Sequence, residues 1–239
     1  MQYISILSTS ISFIFAAAVL HRYRIKRTNH LLFWGIGLVF YGLGTLTEVI
    51  LAFSFSEWAI KLWYLSGAML TAAWLGQGTV YLLVRKRGVA RSLAVVLVIL
   101  SLISLGLMIK APITPEAVSY DVSQLASAQY KEILVRNGAT IGLTILLNVY
   151  GTIALVGGAI YSAYLFWRKK VLAKRMVGNI LIAAGALMPA MAGSFIKAGL
   201  VDWLYLSELI GVILMYAGFL LAMAERTPEG DVMTSATLE

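Results

Sequence analysis

The sequence of 239 residues contains no cysteine and only two histidines. The missing thiols exclude disulfide bonds, a thiolate nucleophile and zinc or iron–sulfur centres held by cysteine. His21 and His30 each stand at the end of an apolar stretch, close to arginines, where contact with lipid head groups is the expected role. Neither a metal site nor another cofactor is therefore expected.

Charged residues are also scarce, at 13% of the chain, whereas hydrophobic residues make up 60%. A soluble domain has a hydrophobic share of roughly one half. The composition therefore predicts a protein embedded in the lipid bilayer. The net charge of +8 comes from short basic clusters between apolar stretches and not from one continuous face, so binding of nucleic acid is not expected.

The familiar catalytic motifs are missing as well. The chain has no Gly-x-Ser-x-Gly, no His-Glu-x-x-His, no phosphate-binding loop and no dinucleotide fingerprint. We therefore do not expect an enzyme. An enzyme acting on lipid, with Glu48 or Glu208 as general acid or base, remains an alternative that no nucleophile or metal site supports.

Long apolar stretches dominate what is present. Each is near the roughly 20 residues that a helix needs to cross a bilayer. The seven stretches cover residues 3–20, 30–53, 58–84, 92–110, 140–167, 176–198 and 203–223. The sequence therefore predicts an all-α fold, a polytopic membrane protein whose seven transmembrane helices form one bundle over residues 1–223.

The basic residues predict the orientation of this bundle. Fourteen of the 19 lysines and arginines lie in the connections after the first, third and fifth stretches or after the last one. Because positive charge is retained on the cytoplasmic side, we expect the N-terminus outside and the C-terminus in the cytoplasm. The expected location is the cell membrane, which the chain crosses several times.

Two segments lie outside the apolar stretches. The outer loop 111–139 carries a weakly amphipathic stretch, 122–135, which predicts a short helix lying on the membrane surface. Asp121 is its candidate N-cap, and Asn137 with the following glycine is its candidate stop. The polar residues 224–239 show no periodicity and predict a disordered cytoplasmic tail.

The chain also shows weak internal similarity. Residues 29–35 resemble residues 179–185, and residues 57–66 share a pattern with residues 202–207. These matches place the second and third stretches against the sixth and seventh. They are compatible with a 3+1+3 arrangement, in which two parallel three-helix units are joined by the fourth helix.

Charged side chains inside the apolar stretches are the candidate functional residues, because a charge at mid-membrane costs roughly 3 kcal/mol. Glu48 and Lys61 lie at similar depth in one hairpin, and Lys197 and Glu208 do so in another. Two acid–base pairs are therefore predicted to line one outward-facing polar cavity, together with Asn148. The alternative is that they are structural ion pairs that hold the hairpins together.

The leading functional hypothesis is a protein that binds, and transports, a small polar or amphipathic solute through this cavity. One alternative is a seven-helix sensor that signals to a separate cytoplasmic partner. Another is a structural subunit of a membrane complex. Association with a second copy or with another membrane protein is compatible with each of these hypotheses.

Overall fold

The computed structural model describes residues 2–84, 86, 88–169, 173–190 and 202–223. Within these ranges the regular structure is helical, apart from one isolated antiparallel bridge between Ile113 and Leu134. Lys197 and the tail 224–239 lie outside the described residues. The disorder of the tail and the pairing of Lys197 with Glu208 therefore stay predictions.

The described residues form ten α-helices. These are α1 (Gln2–Lys26), α2 (Asn29–Leu51), α3 (Glu57–Trp63), α4 (Thr71–Leu83), α5 (Val89–Lys110), α6 (Ala126–Ile133), α7 (Gly138–Thr152), α8 (Gly158–Lys169), α9 (Ala173–Ala190) and α10 (Asp202–Met223). Two π-helical segments, Tyr64–Leu70 and Ile153–Gly157, join α3 to α4 and α7 to α8. A 3-10 helix, Pro115–Ser119, lies in the long loop of residues 111–137 between α5 and α7.

Five of the described helices are long and apolar enough to cross a membrane. They are Tyr3–Lys26, Asn29–Leu51, Val89–Lys110, Gly138–Leu165 and Tyr205–Met223. The most apolar is α5, with a mean hydropathy of 2.8, and its outward side chains include Val95, Ile99 and Leu102, which are at least half exposed. Such a surface is stable against hydrocarbon and not against water. The fold is that of a helical membrane protein.

The helices pack around a ring. Going round, α1 packs against α2, α2 against α4, α4 against α7, α8 against α9, α9 against α10, and α10 against α1. Helix α5 lies outside this ring and packs on α4 and α7. The ring therefore leaves an interior to which six of the predicted seven stretches contribute.

Glycines allow the closest approaches within the ring. A Cβ atom built on Gly151 of α7 would lie 2.2 Å from the carbonyl carbon of Ala72 in α4. Between α9 and α10, a Cβ on Gly178 would lie 2.6 Å from the carbonyl oxygen of Gly218. Backbone thus meets backbone at both contacts, as small residues permit between membrane helices.

The long loop contains the predicted short helix, but its ends differ from those predicted. Helix α6 begins at Ala126, and Asp121 does not cap it, since the Asp121 carboxylate accepts hydrogen bonds from the amide and hydroxyl of Ser123 at 2.8 and 2.6 Å. Asn137 does not stop α6 either. It caps α7, accepting from the Thr140 amide at 2.8 Å. Both side chains bind free amide groups that follow them, which is the usual preference of Asp and Asn.

Candidate binding cavity

A cavity of about 420 Å³ lies inside the ring. Its wall comes from α2, the helical run Glu57–Leu83, α7 with the π-helical segment that follows it, α9 and α10. Helix α6 of the long loop closes part of it. Most of its lining is small or apolar. The larger polar side chains are Tyr41, Glu48, Trp63, Tyr130, Asn148 and Glu208. Three predicted site residues, Glu48, Asn148 and Glu208, are thus brought together here.

Glu48 and Glu208 form the most polar part of the wall. Glu48 is only 4% exposed, and its Oε1 accepts a hydrogen bond from Trp63 Nε1 at 2.8 Å. The carboxyl groups of Glu48 and Glu208 lie within hydrogen-bonding reach of each other. In each, Oε2 is buried and receives no hydrogen bond from a described donor. Because a buried acceptor without a donor is costly, this pair is suited to a group that brings donors.

Helix α2 holds this pair in place through Tyr41. Tyr41 lies two turns before Glu48 on the same helical face, and its hydroxyl donates to the backbone oxygen of Glu208 at 2.8 Å. Gly44, between them on that face, also lines the cavity. This face of α2 therefore points into the ring.

The predicted ion pair between Glu48 and Lys61 is wrong. Lys61 Nζ instead lies 2.5 Å from Glu57 Oε1, one turn earlier on the same helix, and 3.4 Å from the backbone oxygen of Ile109 in α5. Lys61 is buried but does not line the cavity. Two residues that are equally far from a hairpin turn lie at the same depth, but their side chains need not point in the same direction. Lys61 therefore points towards α5, whereas Glu48 points into the ring.

Asn148 reaches the cavity through its contact with the first π-helical segment. Its amide nitrogen donates to the backbone oxygens of Ala68 at 2.6 Å and Thr144 at 2.8 Å. A π-helical turn rearranges the backbone hydrogen bonds, and such turns are frequent at functional sites. Both amide hydrogens are thereby used, so Oδ1 is the atom of this side chain that remains for a ligand.

A second cavity, of about 220 Å³, shares Glu48 with the first. It lies between Ser5 of α1, Tyr205 of α10 and residues 122–126 of the long loop. Glu48 therefore stands where a space beneath the loop meets the interior of the ring.

Tyr120 fastens the long loop to the end of α2. Its hydroxyl donates to the backbone oxygen of Leu51 at 3.2 Å, and its ring packs on Phe55. Burial raises the pKa of the Tyr120 phenol to about 12, and the neighbouring Glu48 and Asp121 carboxyl groups act in the same direction. The hydroxyl therefore keeps its proton, and with it this hydrogen bond, well above neutral pH.

The sequence did not predict that the long loop contributes side chains to the cavity. Ser127 and Tyr130 of α6 line the larger cavity, and Arg136 lies 4.7 Å over the Tyr130 ring. The weak amphipathic pattern predicted a helix but assigned its apolar face to the membrane surface. Only the fold of the loop, closed by the bridge between Ile113 and Leu134, places that face over the ring.

A separate polar contact lies elsewhere in the ring. Gln77 is fully buried, donates to the backbone oxygen of Ala90 at 2.8 Å, and accepts a hydrogen bond from the Tyr150 hydroxyl. These two hydrogen bonds to neighbouring helices explain the buried Gln77 side chain as part of helix packing.

The comparisons with known proteins give no further guidance. No protein family, no curated protein and no solved structure matches this chain.

Proposed function

We propose that the protein binds and transports a small polar or amphipathic solute through the cavity. The observation that carries this proposal is an interior space of about 420 Å³ that is lined by Glu48, Asn148 and Glu208. The Oε2 atoms of the two glutamates receive no hydrogen bond from a described donor. Binding sites for small molecules typically enclose about 300 to 1,000 Å³ with few polar groups. Asn148 contributes to the site, Lys197 remains a predicted contributor, and Lys61 has a structural role.

The two ends of the cavity differ in a way that supports transport. At one end, the second cavity approaches Glu48 from beneath the long loop. At the other, Leu75, Leu155 and Met215 separate the main cavity from an apolar void of about 40 Å³. Separation of these three side chains would open the site on the opposite face, as alternating access requires.

The proposal includes seven spans in the cell membrane, with the N-terminus outside and the C-terminus in the cytoplasm. The run Glu57–Leu83 and α9 would supply the two spans beyond the five apolar helices. The peripheral position of α5 supports the 3+1+3 arrangement, because the remaining helices close a ring without it. The long loop then covers the outer end of the cavity.

Transport is tested by flux into proteoliposomes. Purified protein is first screened by thermal shift against amino acids, sugars, amines, lipids and ions, and a stabilising compound is then used in radiolabelled form. We expect uptake that Glu208→Gln reduces at least tenfold. Glu132→Gln, which removes the same charge from an exposed position in the long loop, is the matched control and should leave uptake unchanged.

The alternatives give different results in the same experiment. A sensor binds the compound but shows no uptake under any ion gradient, and a structural subunit shows neither binding nor uptake. Either result overturns the transport proposal.

A further inference from the structure

We propose that the ligand of the cavity is an organic ammonium ion, bound between Glu48 and Glu208 in exchange for one proton. This inference rests on the proposed function for the location of the site. It adds the charge of the ligand and the ion exchanged for it.

The acceptors of the cavity are the first argument. Glu48 Oε2 and Glu208 Oε2 are buried and receive no hydrogen bond from a described donor. Glu48 itself is 4% exposed and lines both cavities. Asn148 offers only its oxygen, since both its amide hydrogens are used. The three residues that carry these acceptors, Glu48, Asn148 and Glu208, all line the larger cavity.

Several donors of the cavity wall are already engaged. Tyr41 donates to the backbone of Glu208, Trp63 donates to Glu48 Oε1, and Thr71 donates to the backbone of Ser66 at 2.8 Å. Ser127 has a free hydroxyl, which can act as donor or acceptor. A wall that contains two carboxyl groups, and in which several donors are engaged, suits a ligand that is rich in donors. A primary ammonium group carries three of them and a positive charge.

The size and lining of the cavity favour an organic cation over a metal ion. The volume of about 420 Å³ is far larger than a bare ion needs, and Gly67, Ala72 and Leu155 are among the residues that make the rest of the wall apolar. The described residues also contain no group of three histidines or carboxylates that could hold a metal. An ammonium group attached to a small apolar body fits both parts of the wall.

Charge balance in the site explains why binding of the ammonium ion releases a proton. Two carboxylates in contact within a poorly polarisable interior repel each other, so an empty pair shares one proton and carries a single negative charge. When R–NH₃⁺ binds, both carboxylates are ionised and the proton leaves to solvent through the second cavity. The site then again carries one net negative charge, and no covalent bond in the ligand changes.

No described basic side chain offsets the carboxyl pair, and this proposal replaces the predicted pairing of Glu208 with Lys197 by its pairing with Glu48. The titratable groups close to it are the phenols of Tyr41 in α2, Tyr205 in α10 and Tyr120 in the long loop. No lysine or arginine lines either cavity among the described residues. Arg136 stacks on Tyr130, and Lys61 pairs with Glu57.

Matched probes test the proposal on the full chain in detergent or nanodiscs. Propylammonium, hexylammonium and benzylammonium are compared with the alcohols and carboxylates that carry the same apolar groups, each up to 10 mM, by thermal shift and calorimetry. We expect at least one amine to bind at least tenfold more tightly than its alcohol, and no carboxylate to bind. Calorimetry in two buffers of different ionisation enthalpy should show about one proton released per amine bound.

Glutamine variants of the two glutamates test whether amine binding and proton release depend on their carboxyl groups. Glu48→Gln and Glu208→Gln should each weaken amine binding at least tenfold and abolish proton release, whereas Glu132→Gln should bind as the wild type does. The probe series and the proton count use wild-type protein, so the test does not depend on either variant folding.

Three results would overturn the inference: equal binding of amine and alcohol, amine binding without proton release, or no binding by any amine. If a sugar or a carboxylate binds and is transported instead, the ammonium inference fails while the transport proposal stands. If an amine binds with proton release but is never taken up, transport fails while the ammonium inference stands.

Discussion

Lys61 pairs with Glu57 and not with Glu48, the partner predicted from the sequence. Glu57 lies one helical turn before it, so the pair forms without bringing two helices into register. The Glu57 side chain is 52% exposed while that of Lys61 is 7% exposed, so one partner stays in contact with its surroundings and keeps the cost of burying charge low. Glu48 is left to Trp63 and Glu208.

Two double-mutant cycles test this assignment. Glu57→Gln and Lys61→Met should be non-additive in the free energy of unfolding, with a coupling of about 1 kcal/mol, because each change removes the partner of the other. Glu48→Gln and Lys61→Met should add within about 0.5 kcal/mol. Unfolding in detergent provides the measurement, and a larger coupling for Glu48 than for Glu57 would contradict the observed pairing.

At the scale of elements, two π-helical segments contribute residues to the wall of the cavity. The π-helical segment Tyr64–Leu70 brings Gly67 and Ala68 to the wall, and Asn148 of α7 donates to the Ala68 oxygen. The second segment, Ile153–Gly157, contributes Leu155 to the same wall. Because irregular turns are tolerated in a membrane only where their polar groups are satisfied, this contact fixes α7 against the Glu57–Leu83 run.

Alanine substitutions at two glycines of α7 distinguish the effect of close packing on stability from the effect of helix propensity. Gly151→Ala should lower the free energy of unfolding by roughly 1–3 kcal/mol, since its Cβ would lie 2.2 Å from the backbone of Ala72. Gly142→Ala is the control on the same helix. A Cβ at Gly142 meets nothing within 4 Å, so its effect should be neutral or slightly stabilising. Thermal unfolding in detergent measures both, and equal effects would mean that α4 and α7 are not in contact.

At the scale of the whole molecule, the proposed orientation determines which cavity faces outwards. The long loop covers the second cavity, and the basic connections lie at the opposite helix ends. If the loop is outside, solute reaches Glu48 from outside the cell. If the orientation were reversed, the same site would load from the cytoplasm.

Single cysteines test the orientation, and the absence of native cysteine makes the background low. Val118→Cys and Tyr3→Cys, at positions 95% and 85% exposed, should react with an impermeant maleimide in intact cells. Lys86→Cys and Lys174→Cys, also exposed, should react only after the membrane is made permeable. Labelling of Lys86→Cys in intact cells would exclude the proposed orientation.

Much of the fold follows from the sequence alone. Apolar stretches of membrane-crossing length can satisfy their backbone only as helices, so α1, α2, α5, the run Gly138–Leu165 and α10 were predictable from composition and length. The inward facing direction of Glu48 and Glu208 was also predictable, because acids inside apolar helices face protein or water and not lipid. These predictions depend on one-dimensional properties of the chain.

The partners of those acids were decided only by the tertiary structure. Glu48 and Glu208 lie 160 positions apart in the sequence, and no local pattern signals that two acids meet where two acid–base pairs were predicted. The different facing directions of Glu48 and Lys61, and the position of Tyr130 of the long loop over the ring, depend on how the ring closes. Sequence sets the depth of a polar side chain through helix rise, whereas packing of neighbouring helices sets which groups it meets.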